Sequence, residues 1–370
     1  MTAAASTNNM DSLEKSLCDF TGSTPLDQRF RSLFTIKGLA ATSDQHMQRA
    51  ISIISHAFSD DSALLKHELA YVLGQLEDSR ALPTLKRILE DGDQDAMVRH
   101  EAAEAMGAIS DPSVLLVLEQ YRNDSDVSVR ETCELAISKI TFDNSDEGRA
   151  LKASKASARL KQEQSGSHGV ESAFAPIDPA PAMTSSASSK EAAKSEAEGQ
   201  SYTADQVPLF QQTLLDTNLS LFERYRAMFA LRNVAHGGGE GAVQAVLALA
   251  KGLKDGSALF RHEICFVFGE LCHPASIPSM LMVLDDSTEH EMVRHEAAEA
   301  LGGIVEEGEE DGKNGDGDFT KVLETLQKWA QDGEAPRVVR ESCIVALDEL
   351  KYNNDPTQFH RIEAPTAVAA

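Results

Sequence analysis

A histidine stands directly before a glutamate at five places in this chain, and four of these pairs recur at a regular spacing. These four pairs are His67-Glu68, His100-Glu101, His262-Glu263 and His295-Glu296. Imidazole and carboxylate ligands together suit iron, manganese or zinc, whereas calcium and magnesium prefer oxygen ligands alone. No cysteine stands at the spacing of a thiolate zinc site. Four glutamates carry four negative charges, which two divalent ions would neutralise, so the pairs predict a site for two metal ions.

The distribution of the pairs indicates that they are more than a by-product of repeat duplication. A glutamate near a helix N-terminus is favoured by the helix dipole alone, so one pair would mean little. The units that follow keep the Val-Arg dipeptide and the apolar stripe, yet carry Glu131-Thr132 and Glu341-Ser342 in place of the pair. Only the two inner units of each half have His-Glu, which favours a function for it.

Two further glutamates are weaker candidates. Glu104 and Glu299 follow His100 and His295 by four residues, which places each on the same helical face as its histidine. Such a carboxylate could orient the imidazole from behind. A role at the interface between repeats, or in contact with solvent, is an equally open interpretation.

The segments that carry the pairs are themselves duplicated. ALLKHELAYVLGQL at 63–76 recurs as ALFRHEICFVFGEL at 258–271, and MVRHEAAEAMGAI at 97–109 recurs as MVRHEAAEALGGI at 292–304, each 195 residues later. Within a half the two pairs are 33 residues apart. Apolar residues recur with the helical period, as in Leu69, Val72, Leu73 and Leu76. The pattern predicts an all-α fold of HEAT-type helical-hairpin repeats, in two duplicated halves that face each other across a metal site.

Composition divides the chain into folded halves and connecting segments. Residues between the halves are rich in Ser, Ala, Lys, Glu and Pro, which bury too little apolar surface to offset the loss of chain entropy. The predicted divisions are a flexible N-terminal segment (1–26), an N-terminal repeat half (27–145), a disordered linker (146–205), a C-terminal repeat half (206–351) with an acidic insertion at about 305–319, and a flexible tail (352–370).

The charge of the chain restricts its partners. With 34 Lys and Arg against 59 Asp and Glu, its formal net charge is −25, which argues against nucleic acid and favours cationic partners. Five cysteines without framework spacing indicate a reducing compartment. No apolar run is long enough to span a membrane and the N-terminus lacks a secretory signal, so we expect a cytoplasmic protein. A closed pair of halves predicts a monomer.

The four pairs, set in two blocks of HEAT-type repeats with MVRHEAAEAMGAI and MVRHEAAEALGGI nearly identical, closely resemble the deoxyhypusine hydroxylase family. The resemblance covers about 27–145 and 206–351, while the long linker and the acidic insertion depart from the compact family pattern. It implies a non-haem di-iron monooxygenase that uses O₂ and an electron donor. Its substrate would be the deoxyhypusine side chain on the precursor of translation initiation factor 5A, whose hydroxylation completes hypusine.

The resemblance also implies roles for the paired residues. The four histidines His67, His100, His262 and His295 would hold two Fe²⁺ per chain, with Glu101 and Glu296 as carboxylate ligands. Glu68 and Glu263 would either join these ligands or hold the ammonium groups of the substrate. Two alternatives need no catalytic iron: a HEAT-repeat scaffold, and a binding protein similar to the phycobilin lyases.

Overall fold

A computed structural model describes residues 3–165, 176–183, 202–303 and 316–353. Within these ranges every regular element is helical and no strand is present, so the all-α prediction is confirmed. No helix in the same ranges is long and apolar enough to cross a membrane.

The first half consists of four antiparallel helical hairpins. Its paired helices are α1 (Ala3–Leu17) with α2 (Leu26–Ala40), α3 (Asp44–Ala57) with α4 (Ala63–Gln75), α5 (Leu82–Glu90) with α6 (Ala96–Ile109), and α7 (Leu115–Tyr121) with α8 (Val127–Asp143). The second helix of each hairpin lies on the inner side, where α4, α6 and α8 pack side by side. Helix α9 (Asp146–Ser165) follows α8 directly.

The second half repeats this arrangement. Its paired helices are α10 (Val207–Leu215) with α11 (Leu221–His236), α12 (Gly239–Lys251) with α13 (Ala258–Leu271), α14 (Ile277–Asp285) with α15 (Glu291–Gly302), and α16 (Asp316–Gln331) with α17 (Arg337–Asn353). Here α13, α15 and α17 form the inner row. The duplicated sequence therefore folds into duplicated structure.

Glycines let the inner helices approach closely. A Cβ atom built on Gly74 would lie 2.8 Å from the Cα of Ala105, and one built on Gly302 would lie 2.8 Å from the Cα of Ala346. Real Cβ atoms do not come so close to backbone, so only glycine fits at these crossings. The close contact holds neighbouring inner helices in one tight row.

The two halves close into a ring through two equivalent seams. Helix α8 packs against α11 and α13, and α17 packs correspondingly against α2 and α4. At one seam the Ser257 hydroxyl donates to Glu131 over 2.6 Å, and at the other the Ser62 hydroxyl donates to Glu341 over 2.7 Å. These pairs occupy the same positions in the duplicated sequence, so a pseudo-two-fold axis relates the halves. The inner rows face each other across that axis.

The structure differs from the sequence divisions at two of the three regions predicted to be flexible or disordered. The segment 1–26 contains α1, whose Met10 and Leu17 are buried, because one face of that helix is apolar enough to join the core. The predicted linker contains α9 and an ordered stretch, 176–183, in which Ala180 is fully buried. Three prolines restrict the backbone of this stretch and reduce the entropy lost on ordering.

The other connecting segments fall largely beyond the described ranges. The rest of the predicted linker (166–175 and 184–201), most of the acidic insertion (304–315) and the end of the tail (354–370) lie outside the described residues. Where the structure describes these regions, it continues the helices. Asp316 begins α16, and α17 runs on to Asn353.

Candidate metal centre

The four His-Glu pairs meet at the centre of the ring, one each on α4, α6, α13 and α15. The ring centroid of His67 lies 5.5 Å from that of His100, 5.9 Å from that of His262 and 5.1 Å from that of His295. The centroid of His262 lies 5.5 Å from that of His100 and 5.3 Å from that of His295. Both halves thus supply imidazoles to a single cluster.

An arginine orients each of the two most buried histidines. The Nε of Arg99 donates to the carbonyl of Leu89 over 3.0 Å, and the Nε of Arg294 donates to the carbonyl of Leu284 over 3.1 Å. Each bond ties an inner helix to the end of its outer partner, α5 or α14. Successive residues of a helix are rotated by about 100°, so the histidine after each arginine turns toward the centre.

The helices of the other two pairs begin at a serine with two roles. The Ser62 oxygen accepts a bond from the backbone N–H of Leu65 over 3.1 Å, and the Ser257 oxygen accepts one from that of Phe260 over 3.0 Å. Both hydroxyls also donate across the seams described above. One side chain therefore caps the helix and fixes its start against the opposite half.

The cluster contains buried polar atoms that the protein does not satisfy. His100 and His295 are fully buried, and among the described residues both ring nitrogens of His100 and Nε2 of His295 have no hydrogen-bond partner. Leaving a buried polar group unsatisfied costs roughly 1–3 kcal/mol. Such atoms at the meeting point of four helices indicate a ligand that accepts imidazole lone pairs.

The ligand atoms of the cluster lie close enough to share metal ions. Within each of three groups, the potential ligand atoms all fall within 4.8 Å of one another. The groups are His67 with His100 and His262, His262 with His295 and Glu296, and His100 with Glu101 and Glu104. Nitrogen and carboxylate donors of this kind suit iron, manganese or zinc, so the residues fit the metal class that the sequence predicts.

The electrostatics of the cluster favour the neutral form of two of its imidazoles. Burial, reinforced by the neighbouring imidazoles, lowers the pKa of His100 and His295 well below the usual value, and a neutral imidazole is the form that binds metal. Burial, reinforced by neighbouring carboxylates, also raises the pKa of Glu263 and Glu296 well above the usual value. Bound metal ions would supply positive charge that opposes this shift.

The four glutamates fall into two geometric classes. The Oε2 of Glu101 lies 3.3 Å from Nε2 of His67, and the Oε2 of Glu296 lies 3.3 Å from Nε2 of His262, so each reaches the histidine of a neighbouring helix. For His67 the Glu101 carboxylate outweighs the effect of burial, which by itself lowers the pKa, and the pKa is raised well above the usual value.

The other two glutamates have a different environment. The Oε1 of Glu68 lies 3.3 Å from Nδ1 of the adjacent His67, and Oε1 of Glu263 is buried with no hydrogen-bond partner among the described residues. Both carboxylates line a cavity of about 220 Å³ beside the histidines, as do those of Glu101 and Glu296. The unsatisfied oxygen of Glu263 can accept a hydrogen bond from a donor that enters the cavity.

The two weaker candidates also lie at the centre. The Oε1 of Glu299 lies 3.4 Å from Nδ1 of His295 and accepts a bond from the Ser342 hydroxyl over 2.9 Å, an arrangement that can orient the imidazole. Glu104 stands beside His100 and Glu101 as a further potential ligand. Ser342 replaces the glutamate of the histidine-glutamate pair in its own repeat, yet its hydroxyl still contributes to the site.

Several cavity residues have no place in the sequence predictions. The rings of Tyr71 and Phe266 lie 6.1 Å apart across the pseudo-two-fold axis and form apolar walls. Each follows a paired histidine by four residues, so the helical period could have identified it. Ile177 and Pro179 also line the cavity, although they come from the predicted linker, where no periodic pattern marks them.

Comparisons with known proteins agree with this architecture. A family model for HEAT repeats matches residues 38–138 and 246–348. The chain is 83% identical over 361 residues to a deoxyhypusine hydroxylase of Mycosarcoma maydis, covering 98% of this chain and 100% of that protein. It is 48% identical over 348 residues to one of Neurospora crassa, covering 92% of each chain. The solved structure of human deoxyhypusine hydroxylase in complex with glycerol matches with 41% identity and a TM-score of 0.70, covering 95% of this chain and 98% of that one.

Proposed function

This chain belongs to the deoxyhypusine hydroxylase family, and from that premise we propose that it is an O₂-dependent di-iron monooxygenase. Its substrate is the deoxyhypusine side chain on the precursor of translation initiation factor 5A, and its product is hypusine. One observation carries the metal part of the proposal. Buried imidazoles from both halves converge with ring nitrogens that no protein group satisfies among the described residues.

In this proposal the six residues that point into the cluster hold two Fe²⁺ per chain. They are His67, His100, Glu101, His262, His295 and Glu296. When bound, the irons supply the activation of O₂: one oxygen atom enters a C–H bond and the other leaves as water, with two electrons and two protons from an electron donor. The protein holds the ligands in a buried site that excludes bulk water, where the lowered pKa of His100 and His295 keeps both imidazoles neutral.

The cavity beside the ligands suits a long cationic side chain. Deoxyhypusine is a long amine with cationic nitrogens, and a buried ammonium group requires a paired carboxylate. Glu68 and Glu263 present carboxylates to the cavity from opposite halves, while Tyr71 and Phe266 offer apolar surface to the methylenes between the nitrogens. These contacts position the target carbon beside the metal ligands.

The alternatives without catalytic iron leave the centre unexplained. A scaffold or a protein similar to the phycobilin lyases gains nothing from four buried imidazoles, and apolar side chains there would be more stable. The proposal also includes a cytoplasmic monomer. All five cysteines are free, as expected in a reducing compartment, and one chain supplies every residue of the site.

Paired glutamine variants test the division of the glutamates. We expect Glu101→Gln to bind iron at least tenfold more weakly and to lose turnover. We expect Glu68→Gln to retain two irons and to raise KM for the deoxyhypusine-bearing protein at least tenfold, because the lost contact is to the amine. Iron analysis and O₂-dependent hydroxylation are the measurements.

The control is Glu324→Gln, which removes an exposed carboxylate of α16 and should change neither quantity. A wild-type protein that binds no iron when purified under reducing conditions, and does not hydroxylate the substrate, would overturn the proposed function. Loss of iron from Glu68→Gln with retention in Glu101→Gln would instead exchange the two roles.

A further inference from the structure

The pseudo-two-fold axis gives the cavity two equivalent sides. One lies between the α6/α8 side of the first half and the α11/α13 side of the second, and the other lies between α15/α17 and α2/α4. Each helix that packs at a seam therefore borders one side of the cavity. A fully symmetric ring would present a long substrate with two equal entrances to the same metal ligands.

The ordered stretch 176–183, which we name the strap, lies across the first side. Its Ile177 and Pro179 line the cavity together with Glu104 and Ala108 of α6. The backbone N–H of Ile177 donates to the Gln75 side chain over 3.1 Å. The strap therefore contacts the first half and reaches into the cavity from outside.

The same strap is fastened to the second half by charge and backbone contacts. Asp178 forms a bidentate ion pair with Arg232, at 2.5 and 2.7 Å, and Arg232 also contacts Glu270 at 3.1 Å. The backbone N–H of Met183 donates to the carbonyl of Arg226 over 2.9 Å. Anchors on both halves hold the strap across the gap between them.

The second side has no counterpart of the strap among the described residues. Phe34 of α2 lines the cavity and is 42% exposed, whereas its equivalent on the strapped side, Phe229, is fully buried. Lys37 is the equivalent of Arg232, but no aspartate of a strap faces it in the part of the chain that the structure describes, and it lies instead over the Tyr71 ring, 5.4 Å from its centroid. The cavity therefore reaches the surface beside α2.

The two sides also differ in charge. Lys139 of α8 borders the strapped side, where it lines a small adjoining cavity together with Ile177 and Pro179. The equivalent position in α17 is Glu349, which is exposed, and the surrounding protein together with Glu299 and Glu68 raises its pKa. Lys139 is buried and paired with Asp143, whereas Glu349 leaves an exposed carboxylate at the open side, where it attracts a cationic side chain.

We infer that the strap closes one of two pseudo-equivalent entrances, and that the cationic substrate side chain enters only through the other, past Phe34 of α2 and Glu349 of α17. This inference rests on the proposed function, since it names the path by which that substrate reaches the site. It makes Glu68 the carboxylate nearer the entrance and leaves Glu263 beneath the strap. The docking surface for the substrate protein is then the face formed by α2 and α17.

Site-specific cross-linking tests the path. The photoreactive residue p-benzoylphenylalanine is placed at Phe34 in one full-length, iron-loaded variant and at Met183 of the strap in another. With the deoxyhypusine-bearing protein at saturation, we expect a cross-link from position 34 at least tenfold more abundant than from position 183. A stronger cross-link from 183, equal cross-links from both, or none from 34 would overturn the inference.

Steady-state kinetics provide a second, independent measurement. We expect Glu349→Lys to raise KM for the substrate protein about three- to tenfold with kcat unchanged, because it reverses a charge at the entrance without touching the metal ligands. The matched control is Lys139→Gln on the strapped side, where Asp143 keeps its contacts with Ser110 and Lys152, and KM should not change.

The two proposals fail in distinguishable ways. If Lys139→Gln alters KM and Glu349→Lys does not, while the wild-type protein hydroxylates its substrate, the proposed entrance is wrong and the proposed function is unaffected. If the iron-loaded wild-type protein does not hydroxylate the substrate, the proposed function is wrong and the entrance falls with it.

Discussion

Replacing His100 by leucine should change stability in opposite directions with and without iron. His100 is fully buried, and neither ring nitrogen has a hydrogen-bond partner among the described residues. In the iron-free protein the imidazole therefore lowers the free energy of unfolding. In the iron-loaded protein it is a ligand. We expect His100→Leu to stabilise the first form and to abolish the additional stability of the second.

The size of each effect follows from the burial of the side chain. Removing unsatisfied buried nitrogens gains roughly 1–3 kcal/mol per group. The different shape of leucine opposes this by up to about 1.5 kcal/mol. Counting the imidazole as one such group, the iron-free variant should therefore be more stable by up to about 3 kcal/mol. Wild-type protein with free iron at 100 times its Kd gains about 2.7 kcal/mol from binding, and the variant should gain little.

Urea unfolding measures both effects. Four samples are compared: the wild type with iron, the wild type after chelation, and the variant in the same two states. The matched control is Met97→Leu, a buried position one turn earlier on α6, which should shift both forms by the same small amount. Suppose instead that His100→Leu destabilises the iron-free protein by about 2 kcal/mol or more, the cost typical of disrupting a well-packed core. His100 would then be a well-packed core residue with satisfied nitrogens, and the reasoning would be refuted.

Three further outcomes are expected. Chelation should loosen the docking of the halves, since both supply ligands, and should increase protease cleavage and the radius measured by scattering; unchanged values would contradict this coupling. Gly74→Val should lower the free energy of unfolding by about 1–3 kcal/mol, because its Cβ would meet Ala105 at 2.8 Å, whereas Gly92→Ala, with open space, should be nearly neutral in the same assay. In the iron-free protein, His100 and His295 should each contribute a loss of stability as pH falls below about 6.5, because their lowered pKa keeps them neutral in the folded state while the same residues in the unfolded chain bind protons. The slope of unfolding free energy between about pH 5 and 7 should fall in His100→Leu, by up to about 1.4 kcal/mol per pH unit, and an unchanged slope would contradict the assignment.

The repeats and their inner helices could be predicted because the signal is local. Val98 and the arginine after it recur with His100 at the same spacing in the second half, and each supports the helix that carries the ligand. The helical period places the pairs on one face of each inner helix. These features depend on neighbours a few residues away, so one sequence reveals them.

The shape of the centre depends on contacts far apart in sequence. The rotation of one half against the other is set by bonds such as that from Ser62 to Glu341, separated by 279 residues. No local pattern reports that bond. The sequence therefore predicted convergence of the halves, but not that the rings of His67 and His295 would lie only 5.1 Å apart.

The order of the strap was missed for a related reason. The composition of the segment is typical of a linker, and its apolar content is too small to predict burial. Its order depends on Arg232, which lies 54 residues from its partner Asp178 and belongs to the opposite side of the gap. An ion pair between a predicted linker and a predicted helix leaves no periodic signal in either.

The two seams have a consequence for the origin of the molecule and for the difference between its two entrances. In each, a serine of one half meets a glutamate of the other, and the two contacts are reciprocal, as in an isologous interface between identical subunits. The ring is thus built like a homodimer whose subunits have been joined in one chain. A true homodimer would have to strap both entrances or neither, because identical subunits cannot differ. Fusion of the two halves removed that constraint. The segment that joins them could then cover one entrance and leave the other open.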